Sequence, residues 1–227
     1  WTTAVPLASR NAKGAYYALI VHAGTKKVKF VRCDDAKELK KACKKHGIPC
    51  ETSAPYIHAN NGLAESYVRI ELHGARCDLL QAGMPLCFWP SAIEHFAFSR
   101  NIHPIRDGVS AYERRFEEGP FLGIRAPFGC LVKFKQLPPV EKSKNTPKPG
   151  PSMIPGVFFG WKLAPGGKWT KRYFCVALTE FVDMDLRVGH HVRIQEIYEV
   201  DVDRTFNPGR ITFPLKRLHD KATATLE

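Results

Sequence analysis

Ser53-Ala54-Pro55-Tyr56-Ile57-His58-Ala59-Asn60-Asn61-Gly62-Leu63-Ala64-Glu65 reads as a proline- and asparagine-rich loop that runs into a helix. Asn61-Gly62 is turn chemistry, because both residues tolerate positive φ. Beyond it Ala64, Val68, Leu72, Ala75 and Leu79 recur at three- and four-residue steps. That is the period of a helix with one buried face, and it predicts a helix over 62–81 stopped by Gly83. Glu65 falls in its first turn, one position off the apolar face, where the helix dipole favours a carboxylate.

A second acidic position lies upstream. Lys27, Val28, Lys29 and Phe30 alternate as in a strand, predicted over 27–33, and the pattern stops at Asp34-Asp35. Strands disfavour aspartate, so one carboxylate closes a strand and another opens a helix. A rigid element meeting a loop suits a metal-binding carboxylate. The plainer reading makes Asp34 and Asp35 turn formers and Glu65 a dipole-favoured residue.

Three runs carry a family resemblance. They are Asp34-Asp35-Ala36-Lys37-Glu38-Leu39, Cys43-Lys44-Lys45-His46-Gly47-Ile48, and the residues from Ala54 to Glu65. Together they resemble the integrase region of copia-type retrotransposon polyproteins. The motifs there read close to Asp-Asn-Gly/Ala-x-Glu-Phe, Cys-Lys-x-x-Gly-Ile and Ala-Pro-Tyr-x-x-x-x-Asn-Gly-x-Ala-Glu. Met84-Pro85-Leu86-Cys87-Phe88-Trp89 resembles the family's Leu-Pro-x-x-Phe-Trp link, and Phe128-Gly129-Cys130 resembles the start of its small barrel.

The resemblance implies an α/β ribonuclease H-like core without its first two strands, followed by a small all-β SH3-like barrel. It implies that Asp34 and Glu65 are the second and third members of an Asp-Asp-Glu triad holding Mg²⁺ or Mn²⁺. The first aspartate is expected upstream of Trp1. Asp35 stands where the family has Asn, adding negative charge, and Ser66 where it has Arg. The implied reaction, in the intact polyprotein, is metal-dependent DNA cleavage and strand transfer in the nucleus, with a homo-oligomer as a possible assembly. These residues alone are expected to be inactive. The alternative is a non-catalytic nucleic-acid-binding remnant of a transposable element.

The bulk properties agree with a polyanionic partner. The 227 residues hold 34 Lys and Arg against 22 Asp and Glu, a net charge of +12. Candidate nucleic-acid contacts are Lys40, Lys41 and Lys44 on a short basic helix over 36–45, Arg69 and Arg76 on the long helix, and Asn60 and Asn61 beside the loop. A solvated helix face explains the lysines equally well. Seven cysteines, an odd number without a C-x-x-C pair, argue against a zinc site or a disulfide framework and for buried thiols of an intracellular protein. No apolar run approaches ~18 residues, so no membrane span is expected.

The remaining chain divides by texture. Residues 1–104 read as the core, with a strand over 1–7, a helix over 9–23 capped by Gly24, a strand over 48–52, and a helix over 91–102 opened by Pro90. Trp89, Phe96 and Phe98 read as core anchors, Asn101 as structural, and His95 as an ordinary helix residue. Residues 105–126 read as a linker with a helical turn at 112–116. From 127 to 200, strands over 128–134, 156–161, 169–178 and 191–198, punctuated by Gly and Pro, predict the barrel, with Trp161 and Trp169 in its core. A Lys- and Pro-rich mobile loop is expected over 138–155, and a linker toward the next module over 201–227.

Overall fold

The computed structural model describes residues 1–52, 62–105, 107–135, 153–185, 188–202 and 211–224. The expected strand over 1–7 is not formed. The Asn101 side chain takes the backbone groups that a strand would have paired. Thr2 N–H donates to Asn101 Oδ1 at 3.0 Å, and Asn101 Nδ2 donates to the Thr2 carbonyl at 2.6 Å. Trp1 then packs its ring against Phe98, Tyr112 and Phe116.

Helix α1 (Ala12–Ala23) starts at Asn11, whose side chain accepts from Gly14 N–H, and ends at Gly24 in positive φ. A strand β1 (Val31–Cys33), a helix α2 (Lys37–Lys45) and a strand β2 (Cys50–Thr52) follow. β1 and β2 pair in parallel, Val31 opposite Cys50, with α2 as the crossover. β1 is shorter than the alternation predicts, because Lys27 to Phe30 take no ladder partner in this two-stranded sheet. Val31, Cys33 and Cys43, with Leu19, Val28, Leu39, Ile48 and Cys50, form a small core under it.

Helix α3 (Gly62–Ala82) has the predicted length but not the predicted buried face along all of it. Ala75 and Leu79 are buried and Leu72 partly so, whereas Ala64 and Val68 are exposed. The reason is that its buried residues, Glu71 through Ala82, lie where it crosses helix α4 (Trp89–Ile102). Gly74 allows that crossing, since a Cβ there would fall inside the Phe96 ring. Pro90 occupies the first turn of α4, as expected, and a 3-10 turn (Leu86–Phe88) links the two helices.

Helix α5 (Ala111–Phe116) carries a capping box in which Ser110 and Glu113 satisfy each other's backbone N–H. The strands β3 (Leu131–Phe134), β4 (Ile154–Leu163), β5 (Trp169–Ala177), β6 (Gln195–Ile197) and β7 (Val200–Asp201) build one antiparallel sheet in the order β6-β5-β4-β3-β7. β6 and β7 stand at its opposite edges, so the described pairings form an open sheet rather than a closed barrel. A mixed α/β chain with a five-stranded antiparallel sheet is compatible with an α/β core followed by a β domain.

The layers share their cores. Ala75, Leu79 and Ala82 of α3 and Ala92 and Ile93 of α4 pack with Val157, Phe159 and Val176 of the sheet. Phe98 and Ile102 pack with Phe134, Phe158 and Trp161. Trp161 is buried, its indole N–H donating to the Ile124 carbonyl at 2.8 Å, as core packing predicts.

The connecting stretches are more structured than expected. Within 105–126, Tyr112, Phe121 and Ala126 are core residues. Within 201–227, Leu215 is buried, Leu131 N–H donates to the Thr212 carbonyl, and a helix α6 (Lys216–Ala224) forms. Of the loop expected over 138–155, residues 138–152 lie outside the described residues, while Ile154 and Pro155 belong to β4. Among the described residues no helix is long and apolar enough to cross a membrane.

Candidate functional site

The side chain of Asp34 leaves the chain at the C-terminal end of β1 and is exposed. Its Oδ1 accepts from Ala36 N–H at 3.3 Å, the turn-forming role open to any strand-end aspartate. Glu65 is exposed in the first turn of α3. Both line one cleft of about 550 Å³. Arg32 and Cys33 complete its β1 wall; Ala64, Val68, Arg69, Leu72, His73 and Arg76 complete its α3 wall. The α3 residues sit three or four apart, so one helix face presents them together.

This donor set fits a hard divalent ion in kind, since Mg²⁺ takes oxygen ligands. It falls short in number. The cleft holds two carboxylates, and among the described residues no group of three His, Cys, Asp or Glu is placed to hold a metal. Arginines and a histidine surround the pair. Arg32 is tied to Glu51 at 2.8 Å, leaving Arg69, His73 and Arg76 as the exposed basic wall. Such an arrangement attracts phosphate as readily as metal.

Cys33, beside Asp34, lies 3.6 Å from Cys50, sulfur to sulfur. Burial, and then the neighbouring Cys50, push its thiol up to about 12. It is therefore a thiol rather than a thiolate at neutral pH, and inert. Cys77 and Cys87 are exposed, unlike the uniformly buried set expected.

The other named contacts divide. The Lys40 ammonium pairs with Asp35, holding that carboxyl below its usual range and compensating the charge Asp35 adds. Both side chains are exposed, so the pair contributes little to stability. Lys41 and Lys44 are exposed on α2, and Arg69 and Arg76 share the cleft wall. Asn60 and Asn61, with the rest of 53–61, lie outside the described residues.

Two features escaped the sequence. His95 is buried, with Nδ1 at 2.8 Å from Asp78 Oδ2 and Nε2 at 3.0 Å from the Ala126 carbonyl. Its ring stacks on Trp161 at 5.0 Å. It ties α3, α4 and the chain entering the sheet, a role that no local pattern around either residue announces.

The second is a cavity of about 510 Å³ bounded by residues 1–4, α1, α4 and strands β4 and β5. Glu94 on α4 lines it. The residue is exposed at the cavity wall, yet desolvation by the protein around it pushes its carboxyl up to about 7. Folding therefore takes up a proton between the ordinary value of 4.5 and about 7. The contribution is complete below the lower value and is lost as pH rises through the upper one. Glu94→Gln is expected to match the parent in urea midpoint at pH 4 and to exceed it at pH 8.

No family model matches the chain. It is 27% identical over 154 residues to the Retrovirus-related Pol polyprotein from transposon TNT 1-94 of Nicotiana tabacum. The match covers 64% of this chain and 11% of that polyprotein, so the chain spans a small part of its relative's length. The similarity supports a transposable-element origin, in a retrotransposon polyprotein.

Proposed function

We propose that this chain is a segment of a copia-type integrase, contributing Asp34 and Glu65 to a divalent-metal site that acts on DNA. The observation that carries this reading is that two carboxylates from different elements, one closing β1 and one opening α3, line one cleft. The similarity to a retrotransposon polyprotein supports the same origin. A metal held there would activate an attacking hydroxyl and stabilise the leaving oxygen of a phosphodiester.

The chain's own residues do the rest. Asp34 and Glu65 offer oxygen donors from two sides of the cleft. Arg69 and Arg76, one and three turns along α3 from Glu65, hold the phosphodiester backbone against that wall. Lys41 and Lys44 extend the basic surface along α2. With two carboxylates in the cleft, residues 1–227 by themselves bind Mn²⁺ weakly and bind DNA without joining it.

Three measurements test this. Calorimetric titration is expected to show weak Mn²⁺ binding that Asp34→Asn and Glu65→Gln each reduce further; unchanged binding in both variants removes the metal assignment. A strand-transfer assay with Mn²⁺ on this chain is expected to yield no joined product, and efficient joining overturns the claim of inactivity. Arg69→Ala with Arg76→Ala is expected to make the slope of log affinity against log salt shallower, by about 0.9 for each duplex phosphate that the arginines had neutralised. An unchanged slope places the DNA elsewhere.

The alternative of a remnant that binds nucleic acid without any metal rests on the same basic wall. It predicts the salt effect without the Mn²⁺ effect.

A further inference from the structure

We propose that the cavity beside α4 binds a small organic cation, an ammonium on an apolar body, with Glu94 as its counter-charge. The site is separate from the Asp34–Glu65 cleft and does not depend on how that cleft is read. Its walls come from distant parts of the chain, and its lining is both aromatic and acidic. Phe159 and Trp161 of β4 and Phe174 of β5 supply rings; Ser91 and Glu94, one turn apart on α4, supply polar groups. Rings attract a cation through their electron-rich faces, and the attraction grows as water is excluded.

The wall already stabilises one ammonium in this manner. Lys162 Nζ lies 5.5 Å from the centre of the Phe174 ring and 2.7 Å from Glu196 Oε1. Glu196 also accepts from Arg172, so its charge is compensated twice. Glu94 differs: no charged partner among the described residues contributes to its shift. A carboxylate on a cavity wall lacking a cation gains from a ligand that brings one. Desolvation by the surrounding protein raises that carboxyl to about 7.

The other ionisable groups on the cavity wall do not fill the role. They are Tyr17 of α1, His95 of α4, Lys162 of β4 and Glu196 of β6. His95 spends both ring nitrogens on Asp78 and Ala126. Lys162 and Glu196 are spent on each other. Gly160, at the bulge in β4, has φ +136, so the wall turns there without a side chain entering the space.

Choline and dimethylbutanol, its uncharged carbon isostere, are the probes, titrated at pH 8 into the 227-residue chain. The readout is tryptophan emission, since Trp1 and Trp161 line the cavity. Choline is expected to bind saturably, with the isostere about tenfold weaker or more. Glu94→Gln, which keeps the side-chain shape, is expected to weaken choline by a similar factor and leave the isostere unchanged. Lowering the pH to 5.5 protonates Glu94 and is expected to weaken choline in the parent but not in the variant. Absence of saturable choline binding, equal affinity for the two probes, or equal choline affinity in parent and variant each overturns the proposal. None of these outcomes bears on the Mn²⁺ and DNA measurements, so the two readings stand or fall separately.

Discussion

His95→Leu is expected to lower the unfolding free energy by about 1–3 kcal/mol for each polar group it leaves buried without a partner. The imidazole bridges Asp78 on α3 and the Ala126 carbonyl ahead of the sheet. Leucine fills much of the space but offers neither oxygen a polar partner. It also ends the stack on Trp161. The loss is mostly the cost of stranding Asp78, whose side chain is only 15% exposed. Replacing both residues tests that attribution. The double variant His95→Leu, Asp78→Leu is expected to lose less than His95→Leu alone, because no carboxylate is then left unpaired. Urea unfolding of the three variants measures it; a double variant that loses the full sum shows that packing rather than the polar bridge carries the effect.

Gly129→Val is expected to cost about 2–5 kcal/mol, from about 1–2 for a branched side chain in the left-handed region and about 1–3 for overpacking. Gly129 has φ +75, and a Cβ there would collide with the Cβ of Ala82 at the end of α3. The position cannot slide away. Its N–H donates to the Phe158 carbonyl at 2.8 Å, and Phe158 N–H donates to the Cys130 carbonyl at 3.0 Å. Gly47 supplies the control, with φ +63 and nothing within 4 Å of a built Cβ. Gly47→Val is therefore expected to show the backbone component alone. Equal losses at the two positions would show that the packing between α3 and the sheet is looser than its geometry indicates.

How much of this was legible in the sequence follows from the range of the forces involved. Helices α1, α3 and α4 were readable because their stops and periods are local, Gly24, Gly62 and Gly83, and Pro90, although the Asn11 cap that starts α1 three positions later than expected was not read. The placing of Asp34 at a strand end and Glu65 at a helix start was readable for the same reason. The face of α3 was half legible. A period shows which residues share a face but not how far the partner helix runs along it, so Val68 carried the core pattern and ended up lining the cleft.

The strand expected over 1–7 failed for a different reason. Its composition suits a ladder, and the ladder is replaced by an amide side chain about a hundred positions away. Leu215 and Phe121 were assigned to linkers because single apolar residues in polar surroundings give no periodic signal, yet each fills a core. The bridge through His95 and the carboxyl of Glu94 in its cavity depend on packing between distant segments, which no local motif encodes.

The hydrogen bonds between Thr2 and Asn101 span 99 positions. A ribosome adds about 5–20 residues per second. Once Thr2 has left the exit tunnel, it waits roughly 5–20 s before its partner can follow. During that interval Trp1 has no Phe98, Tyr112 or Phe116 to cover it. Trp1 and Thr2 therefore stay without their partners on α4 and α5 until those helices have been made.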